Sequence, residues 1–158
     1  MSLATELAAL FRRDLIRLTQ EIEAFPEQSL WEVRPGISNP AGTLALHLEG
    51  NLRHFIGFIL GEIAYTRQRD LEFSTRGLSR EDLLGRIRPL QELVPQVISG
   101  LSEDALSATY PINVFGGQPL PTRQVLLSLY GHLSYHKGQI DYLRRVLTGT
   151  GAIELAGL

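Results

Sequence analysis

The sequence predicts an all-α protein, a four-helix bundle with a long crossover connection. Three observations carry this. Apolar residues recur every three to four positions along four long segments, the signature of helices with one buried face. Proline, glycine and capping residues punctuate the chain between those segments. Short β-favouring pieces occur only in residues 101–120, so the helices are left to bury their faces against one another. The chain has 158 residues, 44% hydrophobic and 20% charged. Residues 1–158 therefore read as one domain that buries roughly 70% of its unfolded surface.

The first helix spans Ser2 to Ala24. Leu3, Leu7, Leu10/Phe11, Leu15, Leu18 and Ile22 lie on one face, and Pro26 stops the pattern. A loop with Pro26, Pro35 and Gly36 follows. Asn39 is then the expected N-cap, with Pro40 at the first helical position, where its missing N–H costs nothing. The second helix runs from about 40 to 61. His47, Asn51 and His54 are interleaved with Leu44, Leu48, Leu52, Phe55, Phe58 and Ile59 along its apolar side.

Residues 62–78 are polar and irregular, long enough to cross over the bundle. Ser79 and Asp82 form an expected capping box opening the third helix, which carries Leu83, Leu84, Ile87, Leu90, Leu93/Val94 and Val97. Pro89 and Pro95 each remove a backbone hydrogen bond and are expected to kink or split it. Residues 101–120, with Gly116-Gly117 at their centre, suit a small hairpin or an excursion over the bundle end. The fourth helix starts near Pro121/Thr122, reaches Leu147 and is closed by Gly149.

Charge and composition exclude several function classes. The formal net charge is -2, and the basic residues occur as singles and pairs, such as Arg12/Arg13 and Arg144/Arg145. No stripe can neutralise many phosphates, so nucleic acid is not an expected partner. No apolar run approaches the ~20 residues of a membrane helix, and the arginines of MSLATELAALFRRDL follow its apolar part, unlike a secretory signal. A cytoplasmic location without membrane contact is expected. With no cysteine in the chain, disulfides, thiolate ligands and a protein-borne thiol are absent. Any metal must be held by histidine or oxygen, and any sulfur chemistry needs an outside thiol.

The chemistry concentrates in GHLSYHKGQIDYL, residues 131–143. Val125, Leu129, His132, His136, Gln139, Leu143 and Val146 follow one helical stripe whose centre turns polar. Residues four apart lie about 5–6 Å apart at Cβ, so His132 and His136 can converge on one ion. Burying imidazole beside leucine is unfavourable unless its nitrogens are paired, and a metal satisfies one on each ring. Core histidines bonded to backbone or water would give the same pattern.

His47, on the core-facing side of the second helix, can complete a shared site. Three neutral imidazoles leave a coordination position open and the full positive charge on the ion, which favours an anion such as hydroxide or thiolate. His54 is two turns beyond His47, about 10 Å along the axis, and is read as a pocket or interhelical residue. Gln139 and Asn51 either hold a ligand or metal-bound water, or make buried interhelical hydrogen bonds. Gly131 and Gly138 either clear space beside the metal or allow close helix packing. Tyr135 reads as packing or rim. Glu49 and His54 are the candidates for a general base, although Glu49, two residues from His47, should point away from it.

The pairing of NPAGTLALHLEGNLRHFI in the second helix with HLSYHKGQIDYLRRVLTG in the last resembles the DinB-like superfamily. That group includes the YfiT-like metal-dependent hydrolases and thiol-dependent transferases. The likeness covers nearly the whole chain. It implies a four-helix bundle with a long crossover, often a homodimer, holding a divalent metal on three histidines, which map onto His47, His132 and His136. Some relatives use bacillithiol or mycothiol as co-substrate, others glutathione.

The expected function is a small-molecule enzyme whose three-histidine site activates a low-molecular-weight thiol for transfer to an electrophile. A hydrolase using metal-bound hydroxide is the nearest rival. A non-enzymatic metal-binding bundle and an ion-free interaction scaffold are the others. Histidine nitrogen suits zinc, nickel, iron and copper alike, and zinc, nickel, iron or manganese are the expected ions.

Overall fold

The computed structural model describes residues 2–154; Met1 and residues 155–158, included in the expected domain, lie outside the described residues. The fold is all-α, and no strand forms among the described residues. α1 spans Leu3–Ala24, and the Ser2 side chain accepts a hydrogen bond from the Thr5 N–H at its start. Its stripe is buried as the spacing predicts, with Phe11, Leu15, Leu18 and Ile22 fully enclosed. This face packs on α5 (Leu90–Ser99) and α7 (Thr122–Thr148).

α2, Ala41–Leu52, is buried at every position, so it is a central helix rather than an amphipathic one. The expected cap is displaced by one residue: Pro40, not Asn39, is the N-cap, and no side chain caps the helix. The reason lies in the backbone. The Gly42 N–H, which an N-cap side chain could have bonded, is taken by the Leu30 carbonyl at 2.8 Å. At its other end α2 widens into a π-helical turn over Arg53–Phe58, with the Ile59 N–H reaching back to His54 O and that of Gly61 to Ile56 O. Such turns re-aim the side chains that follow. Straight-helix spacing therefore does not carry past Leu52.

The connection from α2 crosses through residues 62–78, irregular except for α3, Arg69–Ser74, which packs on α2. The Ser79–Asp82 capping box is present and opens α4, Arg80–Ile87. Pro89 splits the expected third helix into α4 and α5, whereas Pro95 is accommodated inside α5. Residues 101–120 hold a short α6, Glu103–Ser107, and two isolated bridges, Thr109–Pro121 and Val114–Gln118, rather than a hairpin of strands. The excursion is tied down by Tyr110, whose hydroxyl donates to Phe55 O at 2.5 Å.

α7 ends at Gly149, whose φ of 70° is the left-handed conformation that glycine adopts without strain. The chain beyond is strapped back by two arginines. Arg144, 2% exposed, donates to Glu21, Thr150 and the Gly151 carbonyl, and Arg17 reaches Glu154 O. One correction concerns the α7 stripe. Leu143 is buried but Val146 is 70% exposed. After Leu143 the inward face passes to Arg144, which must point in to meet Glu21.

Candidate metal centre

His47 lies mid-way along α2, and His132 and His136 lie one turn apart on α7, which packs against it. One ring nitrogen from each of the three falls within 4.8 Å of the other two. His47 Nε2 and His132 Nε2 are 3.1 Å apart. Two nitrogens bound to one ion at about 2.0–2.1 Å would themselves stand about 3–3.5 Å apart. His47 is 8% exposed, and the other two rings are half-buried.

One of the rings has its tautomer set by a carboxylate, and a second is bonded on the same nitrogen. His47 Nδ1 is 2.9 Å from Glu72 Oε2. A carboxylate only accepts, so Nδ1 carries the hydrogen and Nε2 presents its lone pair. His136 Nδ1 donates to Gln139 Oε1 at 2.6 Å, which with the amide in this orientation leaves its Nε2 lone pair free. His132 is left without a satisfactory choice. With its hydrogen on Nε2 it can donate to His47, but its buried Nδ1 then has a lone pair and no partner. With the hydrogen on Nδ1, that N–H lacks an acceptor and two lone pairs face each other at 3.1 Å. A cation between the rings removes the second conflict by accepting every inward lone pair, so the residues present fit a metal.

Electrostatics point the same way. Burial pushes His132 down to about 4, with His136, His47 and Arg67 adding to the effect. Burial also lowers His136, against its hydrogen bond to Gln139, with His47 lowering it further. Both rings are thus held neutral, the form that binds a metal. Glu72 is raised by burial, but its bonds to His47 and Arg67 outweigh this and hold it below the ordinary carboxylate range. Arg67 grips the same carboxylate through Nε at 2.7 Å and a terminal nitrogen at 2.9 Å. Phe73 lies against the His47 ring at 4.9 Å.

The remaining candidates are placed as follows. His54 lies on the π turn outside the cluster, with its ring between Phe55 and Phe58 and its buried Nδ1 unpartnered. Burial lowers its pKa, as does Arg67, against Glu72. Glu49 is paired with Arg53 at 2.5 Å and lines a second cavity with Tyr65, Arg86 and Glu72, outside the three-histidine group. Asn51 is 7% exposed with an unpartnered Oδ1. A Cβ at Gly131 or Gly138 would meet nothing within 4 Å, so close helix packing within the chain does not explain either glycine. Sequence reasoning missed Glu72 and Arg67 because they sit in the irregular crossover, where no periodicity marks an inward face.

A cavity of ≈ 580 Å³ adjoins His136 and Gln139. Leu44, Tyr142, Leu143 and Val146 supply apolar wall, Tyr135 stands at its rim, and Arg34 and Asn39 contribute polar groups. Apart from His136, its lining holds no carboxylate or imidazole.

An all-α fold with a convergent three-histidine cluster beside an open cavity defines a class of helical proteins whose facing helices could hold a metal ion between them. The family follows from comparison. The DinB superfamily model matches residues 10–140, and the chain belongs to that superfamily. Among solved structures it is similar to a DinB-like protein from Bacillus cereus ATCC 10987, at 18% identity and a TM-score of 0.66 over 90% of this chain and 91% of that one. No curated protein matches the chain. No helix of the described residues is long and apolar enough to cross a membrane.

Proposed function

We propose that this protein is a divalent-metal-dependent enzyme acting on a small molecule, and that its nucleophile is a low-molecular-weight thiol. The observation that carries the reading is the convergence of three imidazoles, two of them bonded through the outer Nδ1, His47 to Glu72 and His136 to Gln139. A bound divalent cation would supply Lewis acidity, lowering the pKa of the thiol it holds.

This chain's residues do the rest. His47, His132 and His136 would hold the ion without contributing negative charge, so its attraction for an anion is undiminished. The cavity beside His136 would seat the electrophile against its apolar wall. Sulfur then bonds to the electrophilic carbon as the bond to the leaving group breaks, and the thiol proton is lost to solvent. A thiol starts from a pKa near 8.5, well below that of water, and so ionises the more readily on coordination. No cysteine exists to serve instead. Zinc, nickel, iron or manganese would each suit the site, and the chain would act as a homodimer in the cytoplasm, without nucleic acid or membrane.

The test is optical. Cobalt-loaded protein is titrated with glutathione, bacillithiol and mycothiol in turn. A sulfur-to-cobalt charge-transfer band with at least one of them is expected. Its absence with all three, together with a hydroxide-dependent change in the visible bands, would favour hydrolysis.

A further inference from the structure

The crossover contributes a side chain to the cluster that the family resemblance does not mention. Glu72, on α3, is 6% exposed and lies 25 residues from the histidine it touches. Its two oxygens are fully engaged: Oε2 by His47 Nδ1 and by Arg67, Oε1 by Arg67 Nε. Gly50 makes the approach possible. A Cβ at that position would collide with the Glu72 carboxylate. The Arg67 guanidinium is itself stacked over Phe55, 5.5 Å from the ring centroid, so the clamp rests on the π turn at one end and against Gly50 of α2 at the other.

We propose that Glu72, clamped by Arg67 and admitted by Gly50, is a positioning residue that locks His47 with its hydrogen on Nδ1 and its lone pair on Nε2, aimed at the cluster. A neutral imidazole in water samples both tautomers and rotates about its side-chain bonds. A carboxylate fixed on the far nitrogen removes both freedoms and raises the basicity of the nitrogen that faces the ion. The metal site is then complete only when the crossover is docked, since α2 and α7 supply the three rings but not the group that orients the first of them. The inference rests on the metal reading for its consequence, but the lock itself is a property of the metal-free protein.

The experiment therefore has two readouts on the full chain. Long-range ¹H–¹⁵N correlation spectra of the metal-free protein report the His47 tautomer, and competition against a chromophoric chelator reports cobalt affinity. Glu72→Gln is the main variant, because an amide can turn either its oxygen or its NH₂ toward Nδ1 and so serves both tautomers. The wild type should show the Nδ1–H form of His47, and E72Q a mixture. Cobalt should bind E72Q about 10–100-fold more weakly. Gly50→Ala displaces the carboxylate without changing any charge and should move both readouts in the same direction. Asp70→Asn, which neutralises an exposed carboxylate on the same helix, should move neither. Should E72Q fail to fold, G50A decides. A His47 tautomer and cobalt affinity unchanged in both E72Q and G50A would overturn the proposal. If wild-type protein binds no cobalt, the metal reading fails, and the tautomer spectra still decide whether Glu72 sets the ring.

Discussion

Acidifying the metal-free protein should cost it stability through His132, by an amount the structure sets. The perturbation is a drop from pH 7 to 5 in the presence of chelator. The folded ring is pushed down from 6.5 to about 4, mainly by burial, so its folded-state pKa lies below the unfolded one. The sign follows. Above pH 6.5 neither state takes up the proton and the stability is fully present. As pH falls from 6.5 toward 4 the unfolded chain binds the proton and the folded chain does not, and stability is lost. At 1.36 kcal/mol per tenfold, the loss by pH 5 has a ceiling of about 2 kcal/mol. The ring is only half-buried, and screening should roughly halve this, to about 1 kcal/mol. His136 is shifted in the same direction and adds to the loss. The assay is urea unfolding at pH 7, 6 and 5 for wild type and His132→Gln. Wild type should lose about 1 kcal/mol more than the variant over that range. Parallel pH dependences would refute the claim that burial in the cluster holds His132 neutral.

Metal should stabilise the fold by linkage. At one hundred times its dissociation constant a divalent ion adds about 2.7 kcal/mol, or about 5–11 °C in Tm for a chain of this length, read by calorimetry with and without zinc. His47→Ala, His132→Ala and His136→Ala should each abolish most of that shift, and retention of the shift in any one of them would remove that residue from the site. Arg144→Met should destabilise the protein by about 2–3 kcal/mol in chemical unfolding, below the roughly 3–5 kcal/mol of a buried charge left wholly unpaired, because Glu21, 1% exposed, loses its hydrogen-bonded partner and keeps only Arg17 at 3.7 Å. A loss under 1 kcal/mol would mean that the C-terminal strap contributes little.

Much of this was legible because helices write their inward faces into the sequence at a fixed period. His132 and His136 stand where that period places leucine, and His47 stands in a helix that proved buried all round. Gln139 was visible for the same reason, one turn beyond His136. The period fails where the backbone departs from it. The π turn at Arg53–Phe58 re-aims His54, and nothing in RHFIGF announces it. Val146 followed the stripe on paper but is exposed, because the buried Arg144–Glu21 pair claims the inward direction there. Asn39 lost the cap to a carbonyl twelve residues upstream of Gly42. Glu72 was illegible for a deeper reason. Its position depends on a distant glycine and on the docking of an irregular segment, and neither leaves a mark in the residues next to it.

The account depends on three imidazoles from two helices sharing one cation. X-ray absorption on protein loaded with one equivalent of zinc, alongside the three alanine variants, measures that directly. Three nitrogen neighbours at about 2.0–2.1 Å plus at least one oxygen or sulfur ligand not supplied by the chain are expected, with a nitrogen lost in each variant. A coordination shell closed by protein atoms alone, a shell unaltered by the substitutions, or failure to bind a stoichiometric ion would contradict it.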